Sequence, residues 1–202
     1  MNDLPEHLLT RAQAGDRTAL LDLLELYRNY LKLIARAQIG EVLRVCLDSS
    51  DLVQETFLEA SQKFAQFAGT TEPELLAWLR NILVTNSIDQ LEHHSSPKRG
   101  QVREASLDVL LERSATIAHR ALAAGISGTG TPLTHHEQAV LFADAVANLP
   151  DDYREVITLR HMERLKFEEI AERMGRSSGA VRRLWLRALE KLRDGLEKND
   201  VR

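Results

Sequence analysis

Apolar residues recur along this chain at the 3.6-residue spacing of helices, and no segment shows the strict alternation of a half-buried strand. The pattern is sharpest from Phe167 to Arg193, FEEIAERMGRSSGAVRRLWLRALEKLR. In its first half Ile170, Ala171 and Met174 make an apolar edge, with Glu168, Glu169, Glu172 and Arg173 facing outward. Gly175 suits the left-handed residue that closes a helix, and Ser177 or Ser178 suits the cap of the next. In the second half Val181, Trp185, Ala188 and Leu192 fall at i, i+4, i+7 and i+11, which predicts one buried stripe anchored by the tryptophan. Arg182, Arg183, Arg187, Lys191 and Arg193 lie off that stripe, with Glu190 the only acid among them. A short helix, a glycine turn and a basic second helix are the parts of a helix-turn-helix that enters the DNA major groove. A helical hairpin with a solvated basic face has the same periodicity, so the pattern alone leaves both readings open.

The same spacing organises the rest of the chain. Leu4, Leu8, Leu9 and Ala12 predict a short helix ended by Gly15-Asp16. Leu20, Leu23, Leu24, Tyr27, Leu31 and Ile34 then predict one amphipathic helix from Arg17 to about Gln38, interrupted by Gly40. Asp48-Ser-Ser-Asp51 is a cluster of capping residues, Asp51 with Gln54 has the spacing of a capping box, and the helix that follows is expected to bury Val53, Phe57, Ala60, Phe64 and Phe67. Its other side presents Asp51, Gln54, Glu55 and Leu58, an acidic and amide surface around one leucine, suited to a protein partner with a basic rim. A solvated helix face carries the same residues. Thr71 and Glu74 repeat the box spacing and start a helix through Leu75, Leu76, Leu79, Ile82, Leu83, Asn86 and Ile88. Trp78, Arg80, Asn81, Thr85, Asn86 and Asp89 give that helix a polar side with one large aromatic, able to stack on an unpaired base; a core tryptophan is the plainer reading.

From Ser95 the sequence turns loop-like, and GISGTGTP, ending at Pro132, is its clearest linker. These features divide the chain into a helical unit 1–94, a linker 95–133 whose Leu107, Leu110 and Leu111 allow one short helix, and a unit 134–202. The last unit is expected to hold four helices: about His136–Leu149, buried through Val140, Leu141, Ala145 and Val146; one starting at Asp151-Asp152; and the pair described first. The fold class is therefore all-α, two small helical domains joined by a linker, the second a four-helix domain with a helix-turn-helix.

Composition adds little until charge is mapped. The net charge is −4 over 202 residues. From Glu41 to Glu74 acids outnumber bases, whereas the last helix is basic, which points to different partners at the two ends. The single cysteine, Cys46, excludes an internal disulfide and lies in an apolar VLRVCLD. The start of the chain lacks the basic and apolar runs of a signal peptide, so a cytoplasmic protein is expected. No phosphate loop, nucleophile elbow or Cys/His metal pattern occurs, and His93-His94 and His135-His136 are adjacent pairs that would point apart on a helix. An enzyme, a cofactor and a metal site are not expected.

Three blocks resemble, in order, the extracytoplasmic-function (ECF) class of bacterial RNA polymerase sigma factors. DSSDLVQETFLEASQKF is similar to the family's region 2.2, LLAWLRNILVTNSID to regions 2.3 and 2.4, and the block from LPDDYREV to EKLR to region 4. The resemblance implies that Asp51, Leu52, Gln54, Glu55 and Leu58 dock on the clamp helices of core RNA polymerase. It implies that Trp78, Asn81, Asn86 and Asp89, with the loop Phe67 to Thr71, hold the minus-ten element as single strand. It assigns Arg182, Arg183, Leu186, Arg187 and Lys191 to the duplex minus-thirty-five element of promoter DNA, with Arg176, Ser177 and Ser178 at phosphates. An anti-sigma factor is the regulatory partner such a protein would have.

The chain departs from the family after Asp89, where Gln90, Glu92, His93 and His94 stand in place of arginines, and at Arg183, where a small polar residue is frequent. Its linker is also longer. The competing reading is a self-sufficient helix-turn-helix transcriptional regulator whose first unit senses or dimerises. A helical scaffold protein is a third, opposed by the basic run on one helix.

Overall fold

In the computed structural model, residues 5–43, 48–94, 116 and 135–199 are described. They fall into two units, 1–115 and 116–202, so the linker expected at 95–133 lies outside the described residues apart from Thr116. All the described regular structure is helical.

In the first unit α1 (Pro5–Gln13) ends at Gly15, whose φ of +95° only glycine adopts without strain. Asp16 caps α2 (Arg17–Leu26), its Oδ1 accepting from the Thr18 and Ala19 amides at 3.0 and 3.1 Å. Those amides, Ala19 first, together with Arg11 hold the Asp16 carboxyl below its usual range. The single helix expected from Arg17 to Gln38 is two: the chain bends at Tyr27, and α3 (Arg28–Leu43) runs on through Gly40. The bend lets Tyr27 and Tyr30 point inward, where the Tyr27 hydroxyl donates to Glu72 at 3.0 Å and Arg80 donates to the Tyr30 oxygen at 2.8 Å.

The helix α4 (Ser49–Lys63) starts earlier than the expected Asp51 box, because Asp48 is the cap and accepts from the Ser50 amide at 2.7 Å. Its buried stripe is Leu52, Val53, Thr56 and Ala60, wider than the single-file pattern, since α4 packs on both α3 and α5. Phe57, expected in the core, is half-buried with the Arg28 guanidinium 4.9 Å over its ring. A short 3-10 turn at Phe64–Gln66 leads to α5 (Glu72–His94), the longest helix of this unit. Leu75, Leu76, Leu79 and Leu83 on α5, with Leu9, Leu23, Leu24 and Leu31 from α1–α3, belong to a core whose members are essentially without exposure. Burying each leucine is worth about 1.5–3 kcal/mol.

In the second unit α6 (His135–Ala147) buries Ala139, Phe142, Ala143, Ala145 and Val146. Phe142 takes the place expected for Val140 and Leu141, which are half-buried, because the buried arc is rotated by about one residue. Arg154 ties it to α7 (Asp151–Ile157) by donating to the Ala147 and Leu149 carbonyls at 3.0 and 2.8 Å. These are end-of-helix carbonyls, which need donors from outside the helix. A π-helical turn, Thr158–Met162, continues α7, and Arg164 at φ 58° reverses the chain. Then α8 (Phe167–Arg173), a turn through Gly175 at φ 61°, and α9 (Ser178–Asn199) complete the helix-turn-helix.

Candidate nucleic-acid interface

Ser177 caps α9, its Oγ accepting from the Ala180 amide at 3.3 Å, which decides between the two serines considered from sequence. Val181, Ala188 and Leu192 are buried as the periodicity predicts, and this stripe sets the rotation of α9. Trp185 is only half-buried, not the wholly buried anchor expected: its ring neighbours His161 and Phe167, with centroids 6.1 and 5.5 Å away. The fixed rotation leaves Arg182, Arg183, Leu186, Arg187 and Lys191 exposed, with Leu186 at 54%. Ser178 is half-buried and Arg176 and Ser177 are exposed beside the amides that open the helix.

Two of these cations have carboxylate partners. Arg182 donates to Glu168 Oε1 at 3.1 Å, where the Ser178 hydroxyl also donates at 3.2 Å, and Arg176 donates to Asp152. Glu168's own backbone amide, then Ser178 and Arg182, hold that carboxyl below its usual range. Glu168 had been read only as an outward acid of the first helix; its partner lies fourteen positions on, so helical spacing held no sign of it.

On α5, Trp78 stands half-buried in an aromatic group with Phe67 and Phe64, centroids 5.2 and 6.2 Å away. The loop before it is held by Glu74, which accepts from the Thr70 amide at 2.8 Å, the Thr71 amide at 3.0 Å and the Thr71 hydroxyl at 2.8 Å. These bonds, the Thr70 amide first, lower the Glu74 carboxyl. Gln13 from α1 donates to the Gly69 carbonyl at 2.7 Å and braces the loop from the other side. Asn81 is exposed and Asp89 half-exposed on the face that carries Trp78. Asn86 is not there: it is 5% exposed, and its Nδ2 is buried with no hydrogen-bond partner. A position one residue off the Trp78 line turns about 100° into the core, so Asn86 is removed from the candidate DNA contacts. Thr85, one of the polar-side residues expected from sequence, is half-buried at i+7 from Trp78 and takes that place on the face.

On α4, Asp51, Gln54, Glu55 and Leu58 are exposed together, Leu58 at 62%. Glu55 accepts a hydrogen bond from Gln90 of α5, which fixes one edge of this face. Leu52 is wholly buried in the core and is removed from the candidate polymerase contacts, since the next residue after Asp51 turns about 100° around the helix, here into the core.

Residues 139–192 match the family model Sigma-70, region 4. The ECF RNA polymerase sigma-E factor of Haemophilus influenzae is 27% identical over 94% of this chain and 94% of its own. The ECF RNA polymerase sigma factor SigD of Mycobacterium tuberculosis is 30% identical over 93% of this chain and 81% of its own. This chain belongs to the ECF sigma factors. The structure of CnrH in complex with the cytosolic domain of CnrY also aligns with 97% of the chain and 99% of its own at 23% identity, but its TM-score of 0.36 transfers no geometry.

As an ECF sigma factor the protein directs RNA polymerase to promoters and to transcription initiation. The likeness runs through both units, whereas a self-sufficient regulator sharing only the output domain would match over 139–192 alone. Among the described residues no helix is long and apolar enough to cross a membrane.

Proposed function

We propose that this sigma factor works through three separate faces. The exposed arc of α9 formed by Arg182, Arg183, Leu186, Arg187 and Lys191 enters the major groove of the minus-thirty-five element. Arg176, Ser177 and Ser178 meet phosphates at its start, where unpaired amides favour anions. Trp78, Asn81, Thr85 and Asp89, with the loop braced by Glu74 and Gln13, hold the minus-ten element as single strand; stacking on an aromatic is worth about 1–3 kcal/mol per base. Asp51, Gln54, Glu55 and Leu58 dock on core polymerase. The observation that carries this reading is the α9 arc, a basic face with one exposed leucine turned outward by the burial of Val181, Ala188 and Leu192.

On this reading units 1–94 and 134–202 are two promoter grips on one tether, and neither needs high affinity alone. The protein supplies no chemistry of its own and acts in the cytoplasm, where the template is. An anti-sigma partner would silence it by covering the apolar centre of a face, Leu58 or Leu186, the two exposed leucines in these arcs. The test is to reconstitute the chain with bacterial core polymerase and recover bound duplexes from random DNA. Two enriched blocks at a constant spacing are expected. Enrichment of one block, equally strong without polymerase, would instead favour the self-sufficient regulator.

A further inference from the structure

His161 lies on the π-helical turn after α7 and takes no part in any face described above. It is more than half-buried, its ring plane is 23° from that of Trp185 with centroids 6.1 Å apart, and its Nε2 accepts the Trp185 indole N–H at 3.2 Å. An accepting Nε2 carries no hydrogen, so the ring is neutral with its proton on Nδ1. Trp185 is next to Leu186 in sequence and one turn from Arg182, on the inward side of α9 that borders the proposed groove-reading arc. Phe167 meets the indole edge to face, with centroids 5.5 Å apart, and carries Arg160 and Arg182 over its own ring at 4.5 and 5.4 Å. Because Trp185 is half-buried, burial alone holds it less firmly than Val181 or Ala188, and the His161 bond supplies the missing restraint.

We propose that His161 is a positioning residue for duplex recognition: in its neutral form it holds Trp185 and so sharpens, within the rotation set by the buried stripe, the way α9 presents Arg182, Leu186 and Arg187. This rests on the reading of α9 as the duplex-contacting helix. Protonation would place a hydrogen on Nε2 against the indole N–H and end the bond. The charged groups on the surrounding elements are Arg160 and Glu163 on the same turn, Lys166 and Glu168 at the start of α8, and Arg182 on α9. Glu163 is paired with Arg173 at 2.7 Å and Glu168 with Arg182, and the charge that acts on the imidazole is Arg160. Burial first, then Arg160, keep the imidazole below the usual histidine value of 6.5. The contact is therefore intact above pH 6.5 and lost as pH falls through the lowered value.

The experiment uses the full chain labelled with nitrogen-15 and, as DNA, the minus-thirty-five duplex recovered by the holoenzyme together with a scrambled duplex. The chain has two tryptophans, so a Trp78→Phe spectrum assigns the Trp185 indole signal. That signal is expected to titrate at a midpoint below 6.5 in the native chain, and to stop titrating in His161→Gln, which keeps an acceptor but not the proton. His161→Phe, which keeps an aromatic ring but not the acceptor, should weaken the recovered duplex about threefold to tenfold, the effect of one hydrogen bond. Scrambled-duplex binding should change by less than about twofold, since phosphate contacts persist. His161→Gln should retain selectivity. An indole signal that ignores pH in the native chain, or a His161→Phe variant as selective as native, overturns the proposal while duplex binding still depends on Arg187. Duplex binding that ignores Arg187→Ala overturns the reading of α9 and the proposal with it.

Discussion

Asn86 and Thr85 are adjacent, yet one is closed inside the first unit and the other shares a surface with Trp78. A buried amide nitrogen without a partner costs about 1–3 kcal/mol. Asn86→Leu, close in volume, should therefore raise the thermal midpoint by a few degrees, on the order of 1 kcal/mol, and leave promoter opening intact. Had Asn86 touched the minus-ten strand, the same change would abolish opening without stabilising the fold. Gly69 has a stricter requirement. A Cβ there would sit 2.5 Å from the Phe67 ring and 2.9 Å from Glu74 Cβ, and Phe67 has Trp78 behind it at 5.2 Å. Gly69→Ala should cost about 1–3 kcal/mol of overpacking strain. Because the strain falls on the loop, permanganate footprinting should show lost strand opening while minus-thirty-five binding stays native.

Glu74 carries a pH signature at the same scale. Its folded carboxyl is lowered by the Thr70 and Thr71 donors, so its contribution is present above 4.5 and disappears as pH falls through the folded value. The Thr70 and Thr71 amide resonances should titrate together with a midpoint below 4.5, and Glu74→Gln should abolish that titration.

At the scale of elements, what could be read from sequence was what repeats at 3.6 residues. The stripes of α9, α1 and α5, the helix-turn-helix and the Thr71–Glu74 start all follow from local spacing. The bend at Tyr27 did not, because both halves keep one apolar phase and the break serves the Tyr27–Glu72 and Tyr30–Arg80 bonds, forty-five and fifty positions apart. Leu52 was misplaced for a related reason: a helix packed on two neighbours buries a wide arc, and a motif lends its residues to an interface without saying which point inward. Glu168 and His161 were missed because each acts on α9 from across the turn.

The same ion pairs give α9 a measurable property. Arg182 must leave Glu168 to reach DNA, and the pair is exposed on both sides, so the exchange is cheap. Glu168→Gln should strengthen duplex binding by about twofold to fivefold, as for release of one exposed pair. Arg187→Ala should weaken binding and reduce the slope of log K against log salt by about 0.9, one phosphate contact's share. An unchanged slope with lost selectivity would move Arg187 from phosphate to base.

At the scale of the molecule the separation of faces is the main consequence. Asp51 and Gln54 lie in the first unit and Arg187 in the second, so their effects should not mix. Replacing Asp51 and Gln54 together by alanine should weaken core polymerase binding about tenfold or more, as for loss of interface centres, while leaving duplex binding native. Equal losses in both assays would mean that the pair supports the fold rather than the polymerase. The most direct measurement is transcription in a purified system, with core polymerase, the full chain and a template bearing the two recovered blocks at their selected spacing. A transcript starting at one position, dependent on the chain and on both blocks and lost with the Asp51/Gln54 double variant, is the predicted result. No transcript beyond that of core polymerase alone, from a chain shown to be folded, would contradict the account.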